Sequence, residues 1–239
     1  MSTSSFWKKH TGGESLVFHE HGNEARWYDA IGPNTRKWEM RLGSDLTTAK
    51  EYTVTEIGAG GTEVQGITAG IRATLTTNTD KWDEINIQLI GTPFQLAAGY
   101  PLYFGAKFAV DSATLSDFFV GLSATDTAIL SAGADTLDIG GSALGFYALA
   151  GTTITSLTEI HASGSKTNTS DTVLTTNAMT YEFVWDGVDG VSFYHEGALV
   201  GRHTTYVPTV VLCPSIVIKA ASAAARIASI SWMRCIQLA

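Results

Sequence analysis

From about residue 69 onward, apolar and polar positions alternate with a period of two. Ile71, Ala73 and Leu75 share one face, with Arg72, Thr74 and Thr76 on the other. Ile85, Ile87 and Leu89 alternate with Asn86 and Gln88, and Leu102, Phe104, Ala106, Phe108 and Val110 line one face of the next segment. Phe118, Val120 and Leu122 follow, then Leu144, Phe146 and Ala148, then the aromatic face Tyr181, Phe183 and Trp185, continued by Val191 and Phe193. Near the end, Ile230, Trp232, Ile236 and Leu238 are expected to share a face that Arg234 interrupts. This repeated period predicts strands rather than helices. One face inward and one outward is what a packed pair of sheets requires.

The breakers fall between these segments. Asp186-Gly187 and Asp189-Gly190 are hairpin-type dipeptides, and Glu196-Gly197 marks the next reversal, which makes a β-meander. Ser163 to Ser170 and Ser131 to Asp135 read as polar loops, and Gly58-Ala59-Gly60-Gly61 as a flexible turn. A single short helix within 111–117 or 221–226 would not change the class.

The first part of the chain reads differently. It holds Trp7, Trp27 and Trp38, three of the six tryptophans, with many charges and weak periodicity. Such a segment must bury its rings against the body or another copy. The chain therefore divides into an N-terminal arm, residues 1–55, and a β-sandwich, residues 56–239. Phe6, Trp7, Trp27, Tyr28 and Trp38 are the interface candidates. Deleting residues 1–40 is expected to spare the sandwich and abolish docking.

Composition agrees with an all-β class: 44% of residues are apolar and only 16% charged. The net charge of -8 argues against nucleic-acid binding, which needs clustered Lys and Arg; Lys8-Lys9-His10 is too short to supply it. No stretch approaches the roughly 18 to 20 apolar residues of a membrane helix. Met1 to Ser5 has no apolar signal core, so classical secretion is not expected. Cys213 and Cys235 read as buried thiols, with a disulfide between adjacent strands as the alternative.

Chemistry-bearing patterns are sparse. A sandwich glycosidase needs two carboxylates flanking the sugar, and the Glu-x-Asp-x-x-Glu pattern is absent. Glu182 and Asp186 could share a strand face, but Asp186 also belongs to a turn; Asp83 and Glu84, as neighbours, point to opposite faces. Calcium at Asp186 and Asp189, or at the loop residues Asp126 and Asp135, would need six or more oxygen ligands, and two Asp-Gly turns explain the first pair without metal. His19-Glu20-His21 could place two imidazoles on one face, though an exposed polar stretch is the simpler reading. Neither a Gly-x-Ser-x-Gly elbow nor a phosphate-cradling loop is present. The expectation is no enzyme, no cofactor and no metal. Tyr103, Phe119, Tyr194 and Tyr206 lie opposite the expected core faces and could stack a sugar, so glycan binding stays open.

Several passages, in order, resemble tailed-bacteriophage structural proteins with a concanavalin A-like jelly-roll domain. They are Gly99 to Gly105, Ser116 to Leu122, Asp126-Thr127, Tyr181 to Gly187, Gly197 to Gly201 and Ile230 to Arg234. The strand, Trp-Asp-Gly, strand, Gly-x-x-Val-Gly passage is also similar to laminin-G and legume-lectin sandwiches. The resemblance covers about residues 69–239. It implies an all-β jelly-roll sandwich with an extended N-terminal arm. It further implies a virion protein on the capsid exterior, a decoration or cement protein binding the major capsid protein and copies of itself, by analogy as a trimer. A lectin-like adhesin on the virion or cell surface is the alternative.

Overall fold

The computed structural model describes residues 35–40, 51–59, 61–68, 71–130, 137–149, 153–160 and 165–238, and the backbone of 7–9, 16–20 and 23–26. Strands β1 (Trp7–Lys9), β2 (Leu16–Glu20) and β3 (Asn23–Arg26) form a small antiparallel sheet of their own. The other strands make two large antiparallel sheets. In chain order they are β4 (Thr35–Glu39), β5 (Tyr52–Ile57), β6 (Gly61–Thr68), β7 (Ile71–Thr77), β8 (Glu84–Leu89), β9 (Phe94–Gln95), β10 (Leu102–Val110) and β11 (Ser116–Ser123). They continue with β12 (Ala143–Ala148), β13 (Thr153–Ile160), β14 (Ser165–Val173), β15 (Met179–Trp185), β16 (Val191–His195), β17 (Ala198–His203), β18 (Val211–Ala220) and β19 (Ile227–Leu238).

The front sheet runs β17-β16-β15-β10-β19-β7-β6, and the back sheet β14-β13-β12-β11-β18-β8-β5. The long strand β19 pairs with β10 along one side and shares its other side between β7 and β4. Strand β18 does the same in the back sheet, with β11 on one side and β8 and β9 on the other. Pro214, which has no N–H to give, sits in the gap between the β9 and β8 pairings. Within residues 1–55, β4 and β5 are thus built into the two sheets.

The inward faces meet in one aromatic core, as the alternation predicts. Phe104 stacks on Phe183 at 4.9 Å, and Phe108 meets Phe118 edge-on at the same distance. Phe146 meets Phe193 edge-on at 5.4 Å. Such pairs add about 0.5–1.5 kcal/mol each beyond area burial.

Two local expectations are corrected. The register of β10 on β19 shifts between Lys107 and Phe108, so that Phe108 faces Ile230 while Lys107 faces Trp232. Ser231 is the extra residue, and a one-residue bulge flips every side chain after it. Ile230, Met233 and Cys235 therefore point into the core, and Ile236 belongs to a separate cluster with Tyr103 and Val184 on the outer face. Most of the expected polar loop 163–170 is edge strand β14, whose Thr and Ser residues suit a half-exposed pleat. No helix occurs among the described residues; 111–115 and 221–224 are bends and turns. Accordingly, no helix there is long and apolar enough to cross a membrane.

Candidate functional site

The structure does not bring the two carboxylates of the meander together. Glu182 is buried on the outer face of the front sheet, where its Oε1 accepts the Tyr103 hydroxyl at 2.7 Å. Gly105, directly opposite Glu182 in the register, leaves room for that hydroxyl and for the Trp232 ring; a Cβ there would stand 2.3 Å from the one and 2.9 Å from the other. Arg234 lies over the Trp232 ring at 4.3 Å. Asp186 instead closes the turn. Its Oδ1 accepts the N–H groups of Val188, Asp189 and Gly190 at 2.8, 3.0 and 3.2 Å, and its Oδ2 meets Arg202 at 2.5 Å. Partial burial pushes this carboxyl up, but those donors outweigh it and hold it below the usual range. Arg202 also reaches Asp189 at 2.9 Å, so one guanidinium serves both acids.

Asp126 is likewise committed, accepting the N–H groups of Ala128 at 2.9 Å and Gly140 at 2.6 Å. Among the described residues no group of three or more His, Cys, Asp and Glu is arranged to hold a metal. Asp135, His21 and His10 lie outside the described residues. Asp83 anchors the glycine turn: its carboxylate accepts the N–H groups of Ala59 and Asp80, both at 3.0 Å.

Glu84 takes part in a row that the sequence did not reveal. Across three adjacent back-sheet strands, Asp117 of β11 pairs with Lys219 of β18, which pairs with Glu84 of β8. All three side chains are fully buried, and Lys219 Nζ stands 3.2 Å from Asp117 Oδ2. Neither carboxyl oxygen of Glu84 has a hydrogen-bond partner among the described residues. Burial pushes its pKa up to about 8, against the pull of Lys219 and with help from Asp126 and Asp117. Only a three-dimensional register could have found this row, because its members are far apart in the chain.

Of the aromatics expected to stack a sugar, Tyr103 and Phe119 are fully buried, Tyr194 is half-buried, and Tyr206 is exposed. The cysteines sit in different sheets, both buried and both free. Of the interface candidates, Phe6, Trp27 and Tyr28 lie outside the described residues, and Trp7 is on β1. Trp38 on β4 is half-buried against the main core and meets Tyr52 edge-on at 6.3 Å.

One end of the sandwich carries a different signal. There β8, β15 and β17 end and β10, β16 and β18 begin, and the connections touch: Gly99 N–H donates to Gly187 O at 2.7 Å, and Val211 pairs with Gln95. Ile90, Tyr100, Val188, Tyr206, Val210 and Val211 all sit on this end with large exposed side chains. They are six of the ten such side chains among the described residues, a concentration typical of an interaction surface.

No protein-family model matches the chain, and no curated protein matches its sequence. Solved structures do match in shape. The endo-1,3-beta-glucanase of Streptomyces sioyaensis superposes with a TM-score of 0.58 at 14% identity, covering 88% of this chain and 99% of that one. A protein of unknown function from Shewanella oneidensis gives 0.54 at 12%, covering 87% and 89%. A looser likeness, 0.47 at 8% over 72% and 79%, is to an alginate lyase in complex with dimannuronate. The fold is a concanavalin A-like jelly roll. The expectation that the chain is not an enzyme is corrected here: the jelly roll it shares with a glucanase, over nearly that enzyme's whole length, is one that carries catalysis. At these identities the likeness establishes the fold, and function must come from the site.

Proposed function

We propose that this jelly roll is a virion structural protein of a tailed bacteriophage, a decoration or cement protein on the capsid exterior. The observation that carries this is the apolar loop end, with Ile90, Tyr100, Val188, Tyr206, Val210 and Val211 exposed together. Burying such side chains contributes about 25 cal/mol per Å² to docking on a repeated lattice. The partner is the major capsid protein, with copies of the chain itself as neighbours, and the resemblance of residues 69–239 to phage structural proteins supports that choice. A protein that binds only the assembled lattice stabilises it by mass action.

The N-terminal aromatics Phe6, Trp7, Trp27 and Tyr28 extend the docking surface in this reading. Trp38 contributes by holding β4 on β19, and the informative truncation ends at residue 34 rather than 40. Removing residues 1–34 leaves the sandwich folded and abolishes incorporation into particles. Normal decoration by the truncated chain would overturn the role of the segment.

A second reading, a lectin-like adhesin, draws on Tyr100 and Tyr206, two exposed rings on the same end, and on a fold shared with a glucanase. A glycan array distinguishes the two: saturable micromolar binding lost on Tyr206→Ala favours the adhesin.

A further inference from the structure

We propose that Lys219 and Asp117 become joined by an intramolecular amide bond, formed by the folded chain itself with Glu84 as proton carrier. The two residues are directly opposed on neighbouring strands, both fully buried, with Nζ 3.2 Å from a carboxyl oxygen. Glu84 is directly opposed to Lys219 on its other side, and cross-strand partners project from the same face of a sheet. The Trp82 ring lies 5.0 Å from Nζ.

Burying a salt bridge is costly, because desolvation of both ions offsets their attraction. An amide removes both charges. In water an ammonium and a carboxylate do not condense; a dry site that holds amine and acid at contact distance has an effective molarity of about 10⁵ M or more. Glu84 makes no hydrogen bond among the described residues, and its uncommitted carboxyl, directly opposed to Lys219 in the register, turns toward Nζ to supply the remaining need. With its carboxyl pushed up to about 8, it is protonated at neutral pH and can both give and accept a proton.

The steps balance. One ammonium proton passes to the Asp117 carboxylate, leaving a neutral amine and a neutral acid. The Nζ lone pair then forms the N–C bond to Asp117 Cγ. Glu84 protonates the departing hydroxyl and takes the second proton from nitrogen. The C–O bond breaks, one water leaves, and Glu84 ends as it began. No oxidant or co-reactant is required. The product staples β11 to β18, two central strands of the back sheet, in a chain whose cysteines are both free.

The test is the intact mass of the full-length protein under denaturing, reducing conditions, followed by a peptide map. The expected mass is one water below that of the sequence, with a branched peptide joining Asp117 and Lys219. Glu84→Gln and Lys219→Arg, each checked for a native circular-dichroism spectrum, should have the full mass. A wild-type protein at full mass would overturn the proposal. So would a water loss that persists in Lys219→Arg, since that would be a succinimide elsewhere. Should neither variant fold, the wild-type peptide map decides alone.

Discussion

His203 Nε2 lies 3.0 Å from Thr169 Oγ1 and thereby ties the edge strand of the front sheet to the edge strand of the back sheet. Ser156 and Thr158 of β13 stand 3.2 and 3.3 Å from the same ring. Further along, His195 Nδ1 of β16, the strand next to that edge, meets Asp171 of β14 at 2.8 Å, a second link between the two sheets. An open sandwich is weakest where its sheets end, and here polar clasps close that side.

The first prediction concerns acid. Burial holds His203 below its usual pKa, so the folded protein binds fewer protons than the unfolded one as pH falls past about 6.5. Stability from this residue is complete above that value and is lost as pH drops through the folded pKa. Melting temperatures between pH 8 and pH 5 should fall less steeply for His203→Asn than for the wild type. Parallel curves would show that His203 does not contribute.

A second prediction concerns close packing of the back sheet. A Cβ at Gly121 would lie 2.2 Å from the Leu144 carbonyl oxygen and 2.6 Å from the Gly145 Cα. Both are backbone, so neither neighbour can swing away. Gly121→Val should cost about 1–3 kcal/mol or more, read by urea unfolding. A neutral result would mean that β11 and β12 are not in this register.

The turn gives a third. Asp186 accepts three backbone N–H groups and holds Arg202, so Asp186→Ala should destabilise by about 1–2 kcal/mol. Asp189→Ala, which removes only a surface ion pair, should cost under about 1 kcal/mol. Chemical denaturation of the two variants checks the order.

Thiol chemistry gives a fourth. Cys213 and Cys235 lie in different sheets, and burial pushes both thiols up, Cys235 well above the usual range. Neither should react with an aromatic disulfide reagent in the native state, and both should react after unfolding. A reductant should leave the melting temperature unchanged.

Much of the scaffold was legible in the sequence because the core-facing positions of β7, β8, β10 and β15 keep a period of two, even where the outer face is buried as well. It failed at β19, where one extra residue at Ser231 reverses the faces, and at β14, whose Ser-Lys-Thr-Asn-Thr-Ser run has no apolar period. Strand β4 was hidden for the same reason: Trp38 is its only large apolar residue. Asp186 could be read as a turn residue because its partners are local. The Asp117–Lys219–Glu84 row and the apolar loop end could not, since each depends on which distant segments the sheets bring side by side.

Docking through the loop end is tested most directly by locating the chain on intact phage particles by electron cryomicroscopy, alongside a Val188→Asp, Val210→Asp variant. A regular array on the head surface with that end against the capsid is expected, and a variant that folds and melts like the wild type but is missing from particles. A chain absent from the head, or a variant incorporated at full copy number, would contradict it.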